Sequence, residues 1–222
     1  MSGRFITFEG GEGTGKSSHA ALLAQKLRTL GIGVVLTREP GGSPGAEIIR
    51  HVLLSGAAKP LGPAAEAILF AAARDDHIRN TIAPALTRGR WVICDRFTDS
   101  TRIYQGEVGG VDDKLLRALE RVTVGDMTPD LTFVLDAPVE IGMSRADKRR
   151  GDAATDRFEG ESTEYHERLR DAFRMLALSE PNRCVLIDAS GMRLEVADQI
   201  WNVVNKRLDP ATAPVAFEGV AS

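Results

Sequence analysis

Lys16 and Ser17 close the run Gly10-Gly11-Glu12-Gly13-Thr14-Gly15, a spacing that wraps main chain around an anionic phosphate group. Backbone N–H groups must crowd around such an anion, and glycine lets the chain curl that tightly. Gly10, Gly13 and Gly15 supply this freedom, with Gly11, Glu12 and Thr14 completing the loop. The apolar run Phe5-Ile6-Thr7-Phe8 before it and Ala20-Ala21-Leu22-Leu23 after it predict a strand, loop and helix, so the positive end of the helix dipole faces the same anion. Lys16 adds a mobile cation for the β- and γ-phosphates, and the Ser17 hydroxyl is a ligand for Mg²⁺. The chemistry is nucleoside triphosphate binding. By itself the motif does not separate kinases from switches and motors.

Other chemistry-bearing residues follow apolar runs. Thr37-Arg38-Glu39-Pro40-Gly41-Gly42 leaves the second run, and Arg50 lies on the helix predicted next. Asp95-Arg96 closes Trp91-Val92-Ile93-Cys94, which brings an acid able to hold Mg²⁺ or its water, and a guanidinium able to grip phosphate, to a strand end. A structural ion pair is the plainer reading of those two. Phe70, Arg74 and His77 share a helix face by their i, i+4, i+7 spacing, so a ring and a cation can meet a base there; as an isolated residue Phe70 reads as core. Arg145, Lys148, Arg149, Arg150 and Arg157 bracket the small-residue stretch Gly151-Asp152-Ala153-Ala154-Thr155. Charge runs are usually solvated faces, but this interruption predicts a flap that closes arginines over phosphates.

The elements that must position these groups alternate. Strands are predicted at 5–8, 33–37, 91–94, 131–136 and 184–188, and helices at about 16–30, 45–55, 64–88, 98–107, 112–124, 138–150, 162–179 and 191–207, with Pro84 kinking or dividing the long one. This is the pattern of a parallel sheet covered on both faces, with ligands beyond the carboxyl ends of its strands. The 222 residues, 43% of them hydrophobic, suit one α/β domain over 1–208, followed by a frayed tail over 209–222. A net charge of −3 gives no electrostatic reason to bind nucleic acid polymer. Without a membrane-length apolar run or a signal-peptide core, the expected location is the cytoplasm. Cys94 and Cys184 read as buried thiols.

Four ordered motifs closely resemble the thymidylate kinase family: Phe8-Glu9-Gly10-Gly11-Glu12-Gly13-Thr14-Gly15-Lys16-Ser17, Thr37-Arg38-Glu39-Pro40-Gly41-Gly42, Asp95-Arg96-Phe97-Thr98-Asp99-Ser100-Thr101 and Tyr104-Gln105-Gly106. The resemblance runs from residue 4 to about 207. It implies a P-loop nucleoside-monophosphate-kinase fold with a five-stranded parallel sheet, phosphorylation of dTMP to dTDP with ATP and Mg²⁺, and a homodimer. By this resemblance Glu12 holds the sugar 3′-hydroxyl, Arg50 and Arg96 the acceptor phosphate, Phe70 stacks on thymine, Arg74 and Gln105 read its polar edge, and Tyr104 packs against the sugar. Glu39, Pro40, Ser100 and Thr101 fall among the substrate-side positions, and Ser17 and Asp95 at the metal. Where many relatives have tyrosine this chain has Phe97, which bears on a peripheral hydrogen bond.

Some relatives carry an arginine after the loop acid, where this chain has Gly13. It therefore resembles the bacterial subtype whose flap, about 143–158 here, donates the arginines: Arg150 to the transferring phosphoryl, Arg149 assisting, Arg145 stacking on adenine. The alternative is another P-loop nucleoside or nucleotide kinase. A GTP-dependent switch is disfavoured because Asn205-Lys206-Arg207-Leu208-Asp209 has its acid one position late for a guanine reader, and a DNA-bound motor because no basic stripe occurs.

Overall fold

A computed structural model describes residues 3–150 and 157–212; the centre of the expected flap, 151–156, and most of the expected tail, 213–222, lie outside the described residues. Strands β1 (Phe5–Glu9), β2 (Val34–Arg38), β3 (Trp91–Asp95), β4 (Leu131–Asp136) and β5 (Cys184–Asp188) form one parallel sheet in the order β2-β3-β1-β4-β5. Helices α1 (Lys16–Thr29), α2 (Pro44–Leu54), α3 (Pro63–His77), α4 (Ala83–Thr87), α5 (Thr98–Thr101), α6 (Asp113–Thr123), α7 (Val139–Arg150), α8 (Thr163–Ser179) and α9 (Arg193–Leu208) cover it. The order reverses at β1, so the crevice beyond its carboxyl end lies between the outgoing loops of β3 and β4.

Successive side chains on a strand face opposite sides. Ile6 and Phe8 of β1 pack with Ile93, Leu131, Phe133 and Leu135 under α1 and α9, while Phe5 joins Val92, Cys94 and Phe97 on the other face. On that second face Thr7 Oγ1 and Thr132 Oγ1 bond at 2.7 Å. Cys94 and Cys184 are buried free thiols, as expected.

Three local features differ from the periodicity. The predicted helix 64–88 is split: α3 runs into a π-helical turn over Ile78–Ile82, and Pro84 then sits in the first turn of α4, where its missing N–H is tolerated. The segment predicted as helix 98–107 is one α turn followed by π-helical turns over Arg102–Val108. Wider turns rotate Tyr104 and Gln105 relative to the α-helical register, a device common near functional sites. Fraying does not begin at 209, because Pro210–Thr212 form a 3₁₀ turn with Pro210 buried. Among the described residues no helix is long and apolar enough to cross a membrane.

Candidate active site

Between β1 and α1 the glycine-rich loop takes the predicted form, with Gly10, Gly13 and Gly15 all at positive φ. Gly13 has a second reason to lack a side chain: a Cβ there would stand 1.8 Å from Gly142 O on α7. Gly142 is tight in return, its own Cβ site lying 2.5 Å from Glu12 O. Loop and helix thus touch backbone to backbone. Lys16 Nζ donates to Gly10 O (3.1 Å) and Gly11 O (2.6 Å), carbonyls at the edge of the cradle. Burial, with Arg96 next, lowers its pKa to about 8 against the pull of Glu12, Asp95 and Glu9. Ser17 Oγ donates to Asp95 Oδ2, so the strand-end acid and the loop hydroxyl meet as two adjacent oxygens. That donor set suits a hard divalent cation such as Mg²⁺.

Opposite the loop stands a wall of fixed side chains. Arg96 Nη2 donates to Glu12 Oε1 (2.7 Å), which also accepts from Tyr104 Oη (2.8 Å), and the guanidinium lies over the Tyr104 ring at 4.9 Å. Burial alone would raise the Glu12 pKa, but Arg96, Lys16 and the Tyr104 hydroxyl together hold it down at about 2. Arg74 is buried: Nε donates to Glu39 Oε2 (2.7 Å), and Nη2 to Phe97 O (3.1 Å) and Thr101 Oγ1 (3.0 Å). His77, which the helical spacing put beside Phe70 and Arg74, bonds Glu39 Oε1 through Nδ1 (3.0 Å) and Thr37 Oγ1 through Nε2 (2.7 Å). Arg50 Nη1 donates to Pro40 O at 2.6 Å.

One cleft of about 480 Å³ brings these groups together. Of the residues singled out from sequence, Glu12, Gly13, Gly15, Lys16, Ser17, Glu39, Pro40, Arg50, Phe70, Arg74, Asp95, Arg96, Ser100, Thr101, Tyr104, Gln105 and Arg149 line it. It joins a triphosphate cradle to a pocket carrying an aromatic ring and buried cations. The thymidylate kinase family model matches residues 8–200. Among curated proteins, a thymidylate kinase of Bradyrhizobium sp. (strain ORS 278) is 59% identical over 95% of this chain and 93% of its own length. One from Rhodopseudomonas palustris (strain BisB18) is 61% identical over 93% and 90%. The chain belongs to the thymidylate kinase family. The crystal structure of the thymidylate kinase from Ehrlichia chaffeensis superposes with a TM-score of 0.73 at 34% identity, covering 92% of this chain and 99% of that one.

The flap root completes this thymidylate kinase family site less tightly. Arg149 reaches the cleft with its side chain 62% exposed and pairs with Glu159 Oε1 at 2.5 Å. Arg150 is not on the cleft wall; it pairs with Glu159 Oε2 (3.2 Å) and Asp147 Oδ1 (2.5 Å). Arg145 lies farther off, donating to Ala189 O (2.7 Å) and Ser190 O (3.0 Å) in the turn after β5. Arg157 pairs with Glu66 and Glu161 and lies over the Phe158 ring. Sequence reasoning missed Phe158, which lines the cleft 6.2 Å from Phe70 and meets Tyr104 edge-on at 5.4 Å. Its position just past a run of small and charged residues hid it. Gly142 was missed too, and only its close approach to Gly13 gives it meaning.

Proposed function

We infer that this protein transfers the γ-phosphoryl group of ATP to dTMP, producing dTDP and ADP with Mg²⁺ as cofactor. The observation that carries this reading is the continuity of one cleft from the phosphate-binding loop, past Ser17 and Asp95, to Phe70, Arg74 and Tyr104. We assign Glu12 to the sugar hydroxyl, Phe70 to the face of thymine, Arg74 and Gln105 to its polar edge, and Arg50 and Arg96 to the acceptor phosphate. Glu39, Pro40, Ser100 and Thr101 shape that side.

The acceptor monoester is mostly dianionic near neutral pH, so its oxygen needs no general base. That oxygen forms a bond to the γ-phosphorus as the bond to the β–γ bridging oxygen breaks, and the electron pair leaves on ADP. Arg96 fixes the attacking phosphate in line, while the loop N–H groups and Lys16 hold the donor. Lys16 must leave Gly10 O and Gly11 O to reach it. Ser17 and Asp95 would hold Mg²⁺, which when bound would supply positive charge to offset the donor phosphates. Arg149 and Arg150 meet the charge that spreads over the equatorial oxygens. Arg145, in the middle of the same helix, is assigned to adenine.

We read 1–208 as one kinase domain with 143–158 as its flap, working in the cytoplasm. A homodimer is supported by exposed Ile48 and Val52 on α2, Ile68 on α3 and Val122 on α6, helices that pack side by side. Sedimentation at micromolar concentration tests that assembly. The activity is tested by ADP release with dTMP, dUMP, dCMP, AMP and GMP as acceptors. Stimulation by dTMP above the others is expected, and its failure would sink the reading.

A further inference from the structure

Arg96 is a non-glycine residue with φ at +70°, a conformation that costs an L-residue of its size free energy and persists only when its surroundings hold it. β1 holds it from both sides. Arg96 N donates to Phe8 O at 2.9 Å, and the next amide, Phe97 N, donates to Glu9 Oε1 at 2.7 Å. The other oxygen of that carboxyl, Oε2, accepts from Ser100 Oγ at 2.6 Å, and Ser100 Oγ lies 3.1 Å from Arg96 Nη1. A guanidinium only donates, so Ser100 Oγ accepts from Arg96 and donates its own O–H to Glu9 Oε2. One carboxyl therefore grips both the backbone after Arg96 and, through a hydroxyl, the end of its side chain.

Glu9 itself is fully buried and is not on the cleft wall. Burial, with the Asp99 carboxyl next, raises its pKa, while Ser100, Arg96 and the Phe97 amide act in the opposite direction. Asp99 has its own bidentate partner in Arg183, at 2.6 and 3.1 Å, so that cation does not serve Glu9. A hydrophobic residue ending β1 would avoid the cost of burying an acid. What the acid provides is the setting of Arg96.

We propose that Glu9 is a positioning residue for phosphoryl acceptance, holding Arg96 through the Phe97 amide and the Ser100 hydroxyl at the place where the acceptor phosphate binds. This rests on the reading of the protein as a dTMP kinase. Glu9→Gln keeps an acceptor for Phe97 N but puts an NH₂ where Ser100 needs one.

The test is a double-mutant cycle on wild type, Glu9→Gln, Arg96→Ala and the double variant. Its readouts are kcat/KM for dTMP at saturating ATP and dTMP affinity by calorimetry without ATP. Glu9→Gln is expected to lower kcat/KM roughly ten- to a hundredfold, the scale of leaving one buried hydrogen-bonding group without its partner. In the Arg96→Ala background it should change either readout by less than about twofold, since the residue it acts through is gone. An additive penalty in the double variant overturns the proposal. Should Glu9→Gln not fold, Glu9→Asp keeps the acid but draws it back from Phe97 N and Ser100 Oγ, and its effect must likewise vanish without Arg96. If wild type uses another acceptor and not dTMP, the activity reading fails, and the same cycle run with that acceptor still decides the role of Glu9.

Discussion

The arginines on the two sides of the cleft are held in opposite ways. Arg74 and its partner Glu39 are each only 4% exposed, and Arg74 makes further bonds to Phe97 O and Thr101. Arg149 is 62% exposed, and it shares the Glu159 carboxylate with Arg150, which also pairs with Asp147. A cation bound in advance suits a contact made in the ground state, such as the polar edge of a base, since its geometry is fixed before the substrate binds. Charges held near the end of a helix by acids they share or exchange suit a contact made only during transfer, because a short movement frees them.

The strongest way to break this contrast is to remove the flap cations. Arg149→Ala or Arg150→Ala should lower kcat by about 10³-fold in at least one case, with KM for either substrate nearly unchanged. Arg96→Ala should instead weaken dTMP binding as well as turnover. Steady-state kinetics on the three variants distinguishes these patterns, and near-normal kcat in both flap variants would make that cluster a solvated face.

Stability sharpens the comparison. Arg74→Ala leaves a buried Glu39 with one of its two partners gone, a loss of about 3–5 kcal/mol, which at this chain length lowers Tm by roughly 10 °C. Arg149→Ala should lower Tm far less, because Arg149 is itself largely exposed and the buried Glu159 keeps Arg150 as a partner. Calorimetric scans of both variants check this, and equal shifts would contradict it.

Smaller effects follow on each side. Phe70→Ala should raise the dTMP KM with less change in kcat, by the roughly 1–3 kcal/mol of a lost stack. On the donor side Lys16 is protonated below its pKa of about 8, so kcat/KM for ATP should hold at lower pH and fall with one proton as pH rises through that value. A flat profile to pH 9.5 would refute the placement of that charge.

Much of this was legible because apolar runs and their turn residues report the sheet directly: each predicted strand lies within a residue of the observed one at either end. The motif residues also converge as their positions at strand ends require. Periodicity was blind to the π-helical turns at Ile78–Ile82 and Arg102–Val108, since stretches of five and seven residues are too short for a changed period to show. Nor did it reveal that Glu9, read only as part of a matching motif, faces inward to Ser100. Phe158 shows the same limit, because its partners Phe70 and Tyr104 are distant in sequence.

The contact of Gly13 with Gly142 restricts how this chain can change over generations. A phosphate loop with arginine after its acid is out of reach by one substitution: the new Cβ would collide with Gly142 O before its guanidinium found any role. α7 would have to shift first, and α7 carries Arg145, Arg149 and Arg150. Moving the arginine from flap to loop therefore demands that the old arrangement be disturbed before the new one works. Grafting Gly13→Arg alone into this protein should therefore yield a poorly active variant, which steady-state kinetics checks.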